Sequence, residues 1–173
     1  MEHVILVDEF DNVLGTMEKI DAHKKGLLHR AFSILIFNSK GEMLLQQRSW
    51  KKYHSAGLWT NTCCSHPLPG ETMLQATTRK LMQEMGIDVD LKFAYKFKYR
   101  APVDNGLTEH ELDHVFTGLF DGTPKINQDE VESWSFSSIE ALKGEIQRTP
   151  EAFTYWFRLI VAEPRASLKA VSG

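Results

Sequence analysis

The segment between residues 59 and 71 gathers side chains that can bind a metal or move a proton. It contains the adjacent thiols of Cys63 and Cys64, the imidazole of His66 and the carboxyl group of Glu71. Thiolates and imidazoles are ligands that Zn²⁺ prefers, so the segment could form half of a zinc site. It could equally be an ordinary polar loop before a helix. The segment alone leaves both interpretations open.

Two other segments carry groups of the same kind. Glu109 and Glu111 lie two residues apart at the predicted start of a strand, so both side chains face one side of the sheet. Carboxylates in this position repel each other unless a cation or proton lies between them; the alternative is a solvated strand end. His23 and His29 lie in a predicted loop before a strand. A single histidine is usually structural, so a metal site requires that the fold bring these segments together.

Residues 65–87 resemble the Nudix box, G-x5-E-x7-R-E-U-x-E-E-x-G-U, in which U is an aliphatic residue. The matching positions are Glu71, Arg79, Leu81, Glu84, Gly86 and Ile87, and the departures are Ser65, Lys80 and Gln83. Nudix hydrolases hold Mg²⁺ and activate water with several carboxylates of this box. Glu71 and Glu84 remain here, and Lys80 lies four residues before Glu84 on the same helical face. We expect the fold of this family without its water-activating cluster.

Hydrophobic patterning predicts the elements that must position these groups. Strands are predicted at residues 4–7, 13–17, 31–37, 43–48, 93–99, 112–120 and 131–136. The first two form an N-terminal β-hairpin and the next two form a second hairpin. Because strands do not alternate regularly with helices, we expect an α/β protein of the α+β type, with helices flanking a mixed β-sheet.

Three helices are predicted around this sheet. The first begins near Leu74 and ends at Gly86, a residue suited to a C-cap. The others are expected at residues 138–147 and 150–162. Ser137 and Glu140 resemble a capping box at the start of the second helix.

Composition describes an ordinary globular protein. Of the 173 residues, 42% are hydrophobic and 25% are charged, which predicts a single domain over residues 1–173. The start of the chain does not resemble a signal peptide, and no apolar run reaches about 18 residues, so we expect a cytoplasmic protein without a membrane partner. Adjacent Cys63 and Cys64 lie too close for an ordinary disulfide, so we expect free thiols.

The net charge of −3 conceals an uneven distribution. Basic residues outnumber acidic ones in residues 1–100, and acidic residues dominate residues 101–173. A modest basic excess suits a small anionic ligand better than a nucleic acid, which requires a strongly basic surface. Scattered solvated charges would give the same totals.

Taken together, these segments resemble the type I isopentenyl-diphosphate isomerases of the Nudix superfamily, along residues 4–156. The resemblance rests on Cys-Cys-Ser-His-Pro after Trp-Thr-Asn-Thr, on Glu-His-Glu at 109–111, on the histidine pair and on Leu-Leu-Gln-Gln-Arg-Ser at 44–49. It implies a Nudix-like fold and an isomerase that interconverts isopentenyl and dimethylallyl diphosphate in isoprenoid biosynthesis. It also implies a divalent metal, Zn²⁺, Mn²⁺ or Mg²⁺. The implied ligands are His23, His29, His66, Glu109 and Glu111.

The same resemblance implies how the substrate reacts and binds. Cys64 and Glu111 form the acid/base pair, Tyr99 assists Glu111, and Trp156 covers the carbocation by cation–π attraction, although Trp156 could also be a core residue. The basic residues implied for the diphosphate are Lys19, Arg48, Lys52 and Lys80, each of which could also be a surface charge. A Mg²⁺ ion is implied between the diphosphate, Glu84 and the backbone carbonyl of Cys64.

Cys63 and Cys64 are expected to differ. If the chain is extended here, their side chains point in opposite directions, and Cys64 shares its side with His66. Cys64 then faces the pocket, where a metal-bearing cationic site would lower its pKa, and Cys63 packs beneath.

Two other functions remain as alternatives. A Nudix-type diphosphate hydrolase is the second enzyme class, and a non-catalytic Nudix-like binding module is the third possibility. For the isomerase, the expected partner is a small prenyl diphosphate, and the protein is expected to be a monomer or a weak dimer.

Overall fold

The computed structural model of the protein describes residues 2–163. The strands in this range are β1 (His3–Val7), β2 (Val13–Glu18), β3 (His29–Phe37), β4 (Met43–Arg48), β5 (Trp59–Thr60), β6 (Cys63–Ser65), β7 (Lys92–Pro102), β8 (Thr108–Leu119) and β9 (Val131–Ser137). The helices are α1 (Lys19–Lys25), α2 (Met73–Met85), α3 (Ile139–Arg148), a 3-10 helix (Pro150–Ala152) and α4 (Tyr155–Ala162). No helix of this described part is long and apolar enough to cross a membrane.

The strands of the described residues join in one mixed sheet. β3 and β8 run parallel, in a register that extends from His29 opposite Glu111 to Phe37 opposite Leu119. β1 pairs antiparallel with β2, and β7 pairs antiparallel with β8. The predicted N-terminal hairpin and the predicted mixed sheet flanked by helices are therefore confirmed.

β3 is buried on both faces because each face is covered by helices. Ile34 and Ile36 lie in the apolar cluster that includes Leu81 of α2. Leu35 lies in the other cluster, with Phe157 of α4. Successive side chains of β3 therefore point to opposite faces of the sheet, one covered by α2 and the other by α3 and α4.

α2 begins and ends at residues that satisfy its terminal backbone groups. The hydroxyl of Thr72 accepts a hydrogen bond from the backbone of Gln75, whose side chain accepts one from the backbone of Thr72. Gly86 ends the helix with φ of 65°, in the left-handed region that glycine adopts without strain. The predicted C-cap at Gly86 is confirmed, whereas the box at Thr72 was not predicted.

Several local predictions were wrong. The segment before β3 was predicted as a loop, but residues 19–25 form α1, which is too short for its hydrophobic period to be visible. β5 and β6 lie in residues 59–65, where no strand was predicted, and β6 pairs with β3. The N-cap of α3 is Ser138, because Ser137 is still in β9 and pairs with Met43.

The predicted helix at 150–162 is divided in two. Phe153 and Thr154 are extended between the 3-10 helix and α4. Thr154 donates its backbone N–H to Trp59 of β5, and its hydroxyl lies 2.8 Å from that of Thr60. Pairing with β5 therefore interrupts the helix and fixes where α4 begins. The conformation of the chain after Glu163, which the sequence left open, lies outside the described residues.

Candidate active site

The parallel pairing of β3 and β8 places the carboxylates of β8 beside a histidine. Glu109 and Glu111 are on the same side of β8, with 2% and 7% of their surface exposed. His29, the first residue of β3, lies opposite Glu111, and its Nε2 is 3.3 Å from Glu111 Oε2. The two predicted segments thus meet inside the protein, and the alternative of a solvated strand end is wrong.

The other two histidines come from elements next to these strands. His23 is buried in the last turn of α1, and its Nε2 lies 3.1 Å from Glu109 Oε1. His66 follows β6 directly, and its Nε2 lies 2.9 Å from Glu111 Oε2. Within residues 2–163, one ligand atom from each member of a five-residue cluster lies within 4.8 Å of the others: His23, His29, His66, Glu109 and Glu111.

The orientation of these rings fits a divalent cation. His23 and His29 each place Nδ1 against a backbone carbonyl, of Lys19 at 2.7 Å and of Leu27 at 2.9 Å. A carbonyl can only accept, so each Nδ1 carries a proton, and the Nε2 of each ring, when neutral, has a lone pair available for a cation placed between the rings and the carboxylates. Among the described residues, His29 Nε2 and Glu109 Oε2 make no hydrogen bond although both are buried. A cation between these atoms would satisfy all of them.

The groups of the cluster shift one another's pKa values, and a bound cation would have to displace the proton that the raised pKa favours on His23. Burial alone would raise the pKa of Glu109, but its contacts with Glu111, His23 and His54 hold that pKa well below its usual range. Burial opposes protonation of His23, yet the neighbouring Glu109 raises the His23 pKa overall. Burial lowers the pKa of His66. Ionised carboxylates and a neutral His66 are the forms that bind metals.

The two cysteines face opposite sides of the sheet, as predicted. Cys63 is fully buried on the α2 side, and its thiol donates to Glu84 Oε1 at 3.4 Å. Cys64 lines the same cavity as His66, a space of about 570 Å³ with its open mouth included. Both are free thiols in the described part of the chain. Burial raises the pKa of Cys64 to about 12, with Arg48 opposing this rise, so a lowered pKa would depend on the charge of a bound cation.

A phenol and an indole form the wall beside Glu111. Tyr99 donates its hydroxyl proton to Glu111 Oε1 at 2.7 Å. Burial, with Glu111 next, raises the pKa of Tyr99 well above its ordinary value, so the phenol keeps its proton. Trp156 stacks on Tyr99 with ring centroids 6.5 Å apart, and the Arg48 guanidinium lies 5.4 Å from the Trp156 ring. Trp156 belongs to the core and also lines the cavity.

The predicted diphosphate-binding residues all line this cavity, namely Lys19, Arg48, Lys52 and Lys80. Each lysine contacts a carboxylate: Lys19 lies 3.4 Å from Glu2, Lys80 lies 3.2 Å from Glu84, and Lys52 pairs with Glu130. The charges of the three lysines are thus partly neutralised by carboxylates, and a diphosphate would compete with these carboxylates for the lysines.

The two remaining carboxylates of the Nudix box are both bonded to basic side chains. Glu71 receives two hydrogen bonds from Arg79, at 2.7 and 2.8 Å, and does not line the cavity. Glu84 lines the cavity but is held by Lys80, Gln46 and Cys63. These contacts agree with the expectation that the water-activating carboxylate cluster of the hydrolases is not formed here. The hydrogen bonds from Arg79 to Glu71 join α2 to the segment that precedes it.

Some residues of the site were not found from the sequence. His54 is buried, and its Nε2 lies 2.5 Å from Glu109 Oε1. Tyr53, Glu2 and Glu130 also line the cavity. The sequence signal for His54 was its position in the loop between Arg48 and Trp59, which also carries the predicted site residue Lys52.

Comparison with known sequences identifies relatives over most of the chain. Residues 27–157 match the NUDIX domain. The chain is 52% identical to an isopentenyl-diphosphate Delta-isomerase of Pectobacterium atrosepticum and 51% identical to one of Serratia proteamaculans. Both alignments cover 162 residues, which is 94% of this chain and 90% of each relative. An isopentenyl-diphosphate Delta-isomerase 2 of Aromatoleum aromaticum is 48% identical, over 90% of this chain and 82% of the relative.

Solved structures give the same fold at low identity. A Deinococcus radiodurans protein, DR0079, superposes with a TM-score of 0.78 at 20% identity, covering 93% of this chain and 98% of that one. A MutT protein from Methanosarcina mazei gives 0.65 at 23% identity, over 78% and 91% of the two chains.

The fold and the domain match define a NUDIX protein with a buried histidine and glutamate cluster. Within that superfamily, the chain belongs to the family of isopentenyl-diphosphate Delta-isomerases, since several of these are about half identical to it over nearly its whole length.

We predict that His66→Ala lowers the metal content of the purified protein, because removal of one ligand weakens the whole cluster. Metal analysis after equilibration with Mn²⁺ and gel filtration measures this, and strong chelation should remove the metal from both proteins. The matched control is His3→Ala, on the exposed edge of β1. Full metal content in folded His66→Ala would show that His66 is not a ligand.

Proposed function

We propose that this protein interconverts isopentenyl diphosphate and dimethylallyl diphosphate by adding one proton and removing another. The observation that carries this proposal is that Glu111, bonded to Tyr99, and the Cys64 thiol line one cavity beside the histidine and glutamate cluster. The names of the relatives support the same reaction. The pathway in which it would act is isoprenoid biosynthesis.

The reaction requires two proton-transfer groups. Protonation of C4 of isopentenyl diphosphate converts the C3–C4 double bond into a tertiary cation at C3, and loss of a proton from C2 forms the C2–C3 double bond. We assign the first transfer to the Glu111–Tyr99 pair and the second to Cys64. Because the Tyr99 phenol keeps its proton, it can share that proton with Glu111 when Glu111 acts as an acid. The reverse reaction exchanges the two roles.

The cation must be shielded from water and stabilised. Trp156 presents an aromatic face beside Tyr99, and cation–π attraction at a desolvated site contributes about 2 kcal/mol. The Arg48 guanidinium also lies over the Trp156 indole, which supports the assignment of this ring to a cation–π contact. A bound divalent metal would supply positive charge that holds Glu109 and Glu111 together and increases the acidity of a coordinated carboxyl group.

Substrate binding is assigned to the four basic residues of the cavity. Lysines bind phosphate oxygens as point charges, whereas Arg48 can donate forked hydrogen bonds. For the diphosphate we propose a Mg²⁺ ion held by Glu84 and the backbone carbonyl of Cys64, which requires Glu84 to exchange its contact with Lys80. For the histidine and glutamate cluster, the nitrogen and oxygen donors are compatible with Zn²⁺, Mn²⁺ or Mg²⁺.

The Nudix hydrolase is the weaker alternative. Water activation in that class needs several carboxylates in the cavity, and here Glu71 is bound to Arg79 and does not line the cavity, so of the two retained box carboxylates Glu84 alone does. A non-catalytic binding module would not need a thiol and a paired phenol and carboxyl group in the same cavity. The remaining expectations stay proposals: residues 1–173 form one domain, the protein is a cytoplasmic monomer or weak dimer, and its partner is a small prenyl diphosphate rather than a nucleic acid or a membrane.

Incubation with isopentenyl diphosphate in deuterated water tests the reaction class. We expect deuterium in the dimethylallyl diphosphate formed, without stoichiometric release of phosphate or diphosphate, because the proposed chemistry breaks C–H bonds and no P–O bond. Mass spectrometry and phosphate analysis measure the two outcomes. Stoichiometric phosphate release would instead indicate a hydrolase, and binding without either product would indicate a binding module.

Replacement of each cysteine tests the proton-transfer assignment. We expect Cys64→Ala to lower turnover at least about a thousandfold, equivalent to about 4 kcal/mol of barrier. Cys63→Ala, the matched control, should mainly lower stability because Cys63 is fully buried and donates to Glu84. An alkylating substrate analogue should label Cys64 alone. Equal loss of turnover in the two folded, metal-loaded variants would reject the assignment.

A further inference from the structure

His54 is a buried imidazole that the proposed reaction does not use. It lies between β4 and β5 with 2% of its surface exposed, and its Nε2 contacts Glu109 Oε1 at 2.5 Å. We propose that His54 is a positioning residue that orients Glu109 for the metal by donating a hydrogen bond to its carboxylate. The inference rests on the metal centre of the proposed function and adds a residue outside the ligand cluster to it.

Each ring nitrogen of His54 contacts an oxygen atom. His54 Nδ1 lies 2.9 Å from the hydroxyl of Ser55. If Ser55 donates its hydroxyl proton to Nδ1, the neutral ring carries its proton on Nε2 and donates it to Glu109. A contact of 2.5 Å with a carboxylate oxygen requires such a proton, because two lone pairs would repel at that distance. The Ser55 hydroxyl therefore selects the tautomer that serves Glu109.

The backbone around His54 is held in place independently of the metal cluster. Ser55 has φ of 53°, an uncommon conformation for a residue with a side chain, and its N–H donates to Asp104 Oδ1 at 2.8 Å. Arg48 donates from Nη2 to the carbonyl of His54 and from Nε to that of Ser55. The ring itself packs edge-on against Tyr53 and Trp156. These contacts fix the imidazole in one orientation.

With this hydrogen bond, each carboxylate of β8, Glu109 and Glu111, accepts from a side chain that is not a metal ligand. Tyr99 donates to Glu111 Oε1, which leaves Oε2 facing His29 and His66. His54 donates to Glu109 Oε1, and Glu109 Oε2 is buried without a hydrogen bond among residues 2–163. A neutral donor behind each metal-binding carboxylate limits its rotation and keeps an oxygen available to the ion. His54 does not belong to the five-residue ligand cluster, which agrees with a role behind Glu109.

The test uses calorimetric titration of the metal-free protein with Mn²⁺ alone. His54→Phe keeps a buried ring and removes the donor, and we expect the Mn²⁺ dissociation constant to rise about 10- to 100-fold. His54→Gln retains an N–H donor near the position of Nε2 and should recover most of this loss. Ser55→Ala, which keeps the imidazole but removes the group that selects its tautomer, should cause a smaller loss in the same direction.

The same replacements at exposed His3 are the matched controls and should leave Mn²⁺ affinity unchanged. Thermal unfolding of each metal-free variant identifies any that fail to fold. If His54→Phe does not fold, the Mn²⁺ affinities of His54→Gln and Ser55→Ala test the positioning role. Unchanged Mn²⁺ affinity in the folded variants, or equal losses in His54→Phe and His54→Gln, would overturn the positioning role. Absence of Mn²⁺ binding in the unaltered protein would instead overturn the metal centre, and the role of His54 with it.

Discussion

The repulsion between two buried carboxylates is the constraint on which the site depends. Glu109 and Glu111 lie on one side of β8 and are almost fully removed from water. Like charges at this separation are costly in a protein interior unless positive charge lies between them. The imidazoles of His23, His29 and His66 converge on these carboxylates, and two of them are turned by backbone carbonyls so that Nε2 faces inward. A metal cation bound between them would relieve the repulsion and use a donor from each of these residues.

The remaining parts of the cavity follow from where this cluster lies in the fold. Because β3 separates two apolar layers, the strand residues on the α4 side share a space with Tyr99 and Trp156. Pairing of β6 with β3 places Cys64 on that side and Cys63 on the other. A thiol, a phenol bonded to a carboxyl group and an indole therefore surround one volume, while three lysines lie around it in pairs with carboxylates.

Much of the candidate site was expected from the family resemblance, which short segments of distinctive residues carry, whereas each segment taken alone left its function open. Alternation along an extended strand predicted the opposite directions of Cys63 and Cys64, and the Lys80–Glu84 pair followed from helical spacing. His54 was missed because it lies outside the segments that carry the resemblance, and its contact with Glu109 is visible only in the folded chain. The ion pairs of Lys19 with Glu2 and of Lys52 with Glu130 were likewise not predicted, because they are visible only in the folded chain. α1 was missed because seven residues give too little hydrophobic pattern, and the break before α4 depends on pairing with β5.

X-ray absorption spectroscopy of the protein loaded with Zn²⁺ tests the central claim most directly. If the histidine and glutamate cluster is the metal site, the zinc spectrum shows a first shell of nitrogen and oxygen at about 2.0 to 2.2 Å, with the outer-shell scattering of about three imidazole rings. A sulfur shell at about 2.3 Å would contradict this account, because it would place the ion on Cys63 or Cys64 as a zinc site of the thiolate type.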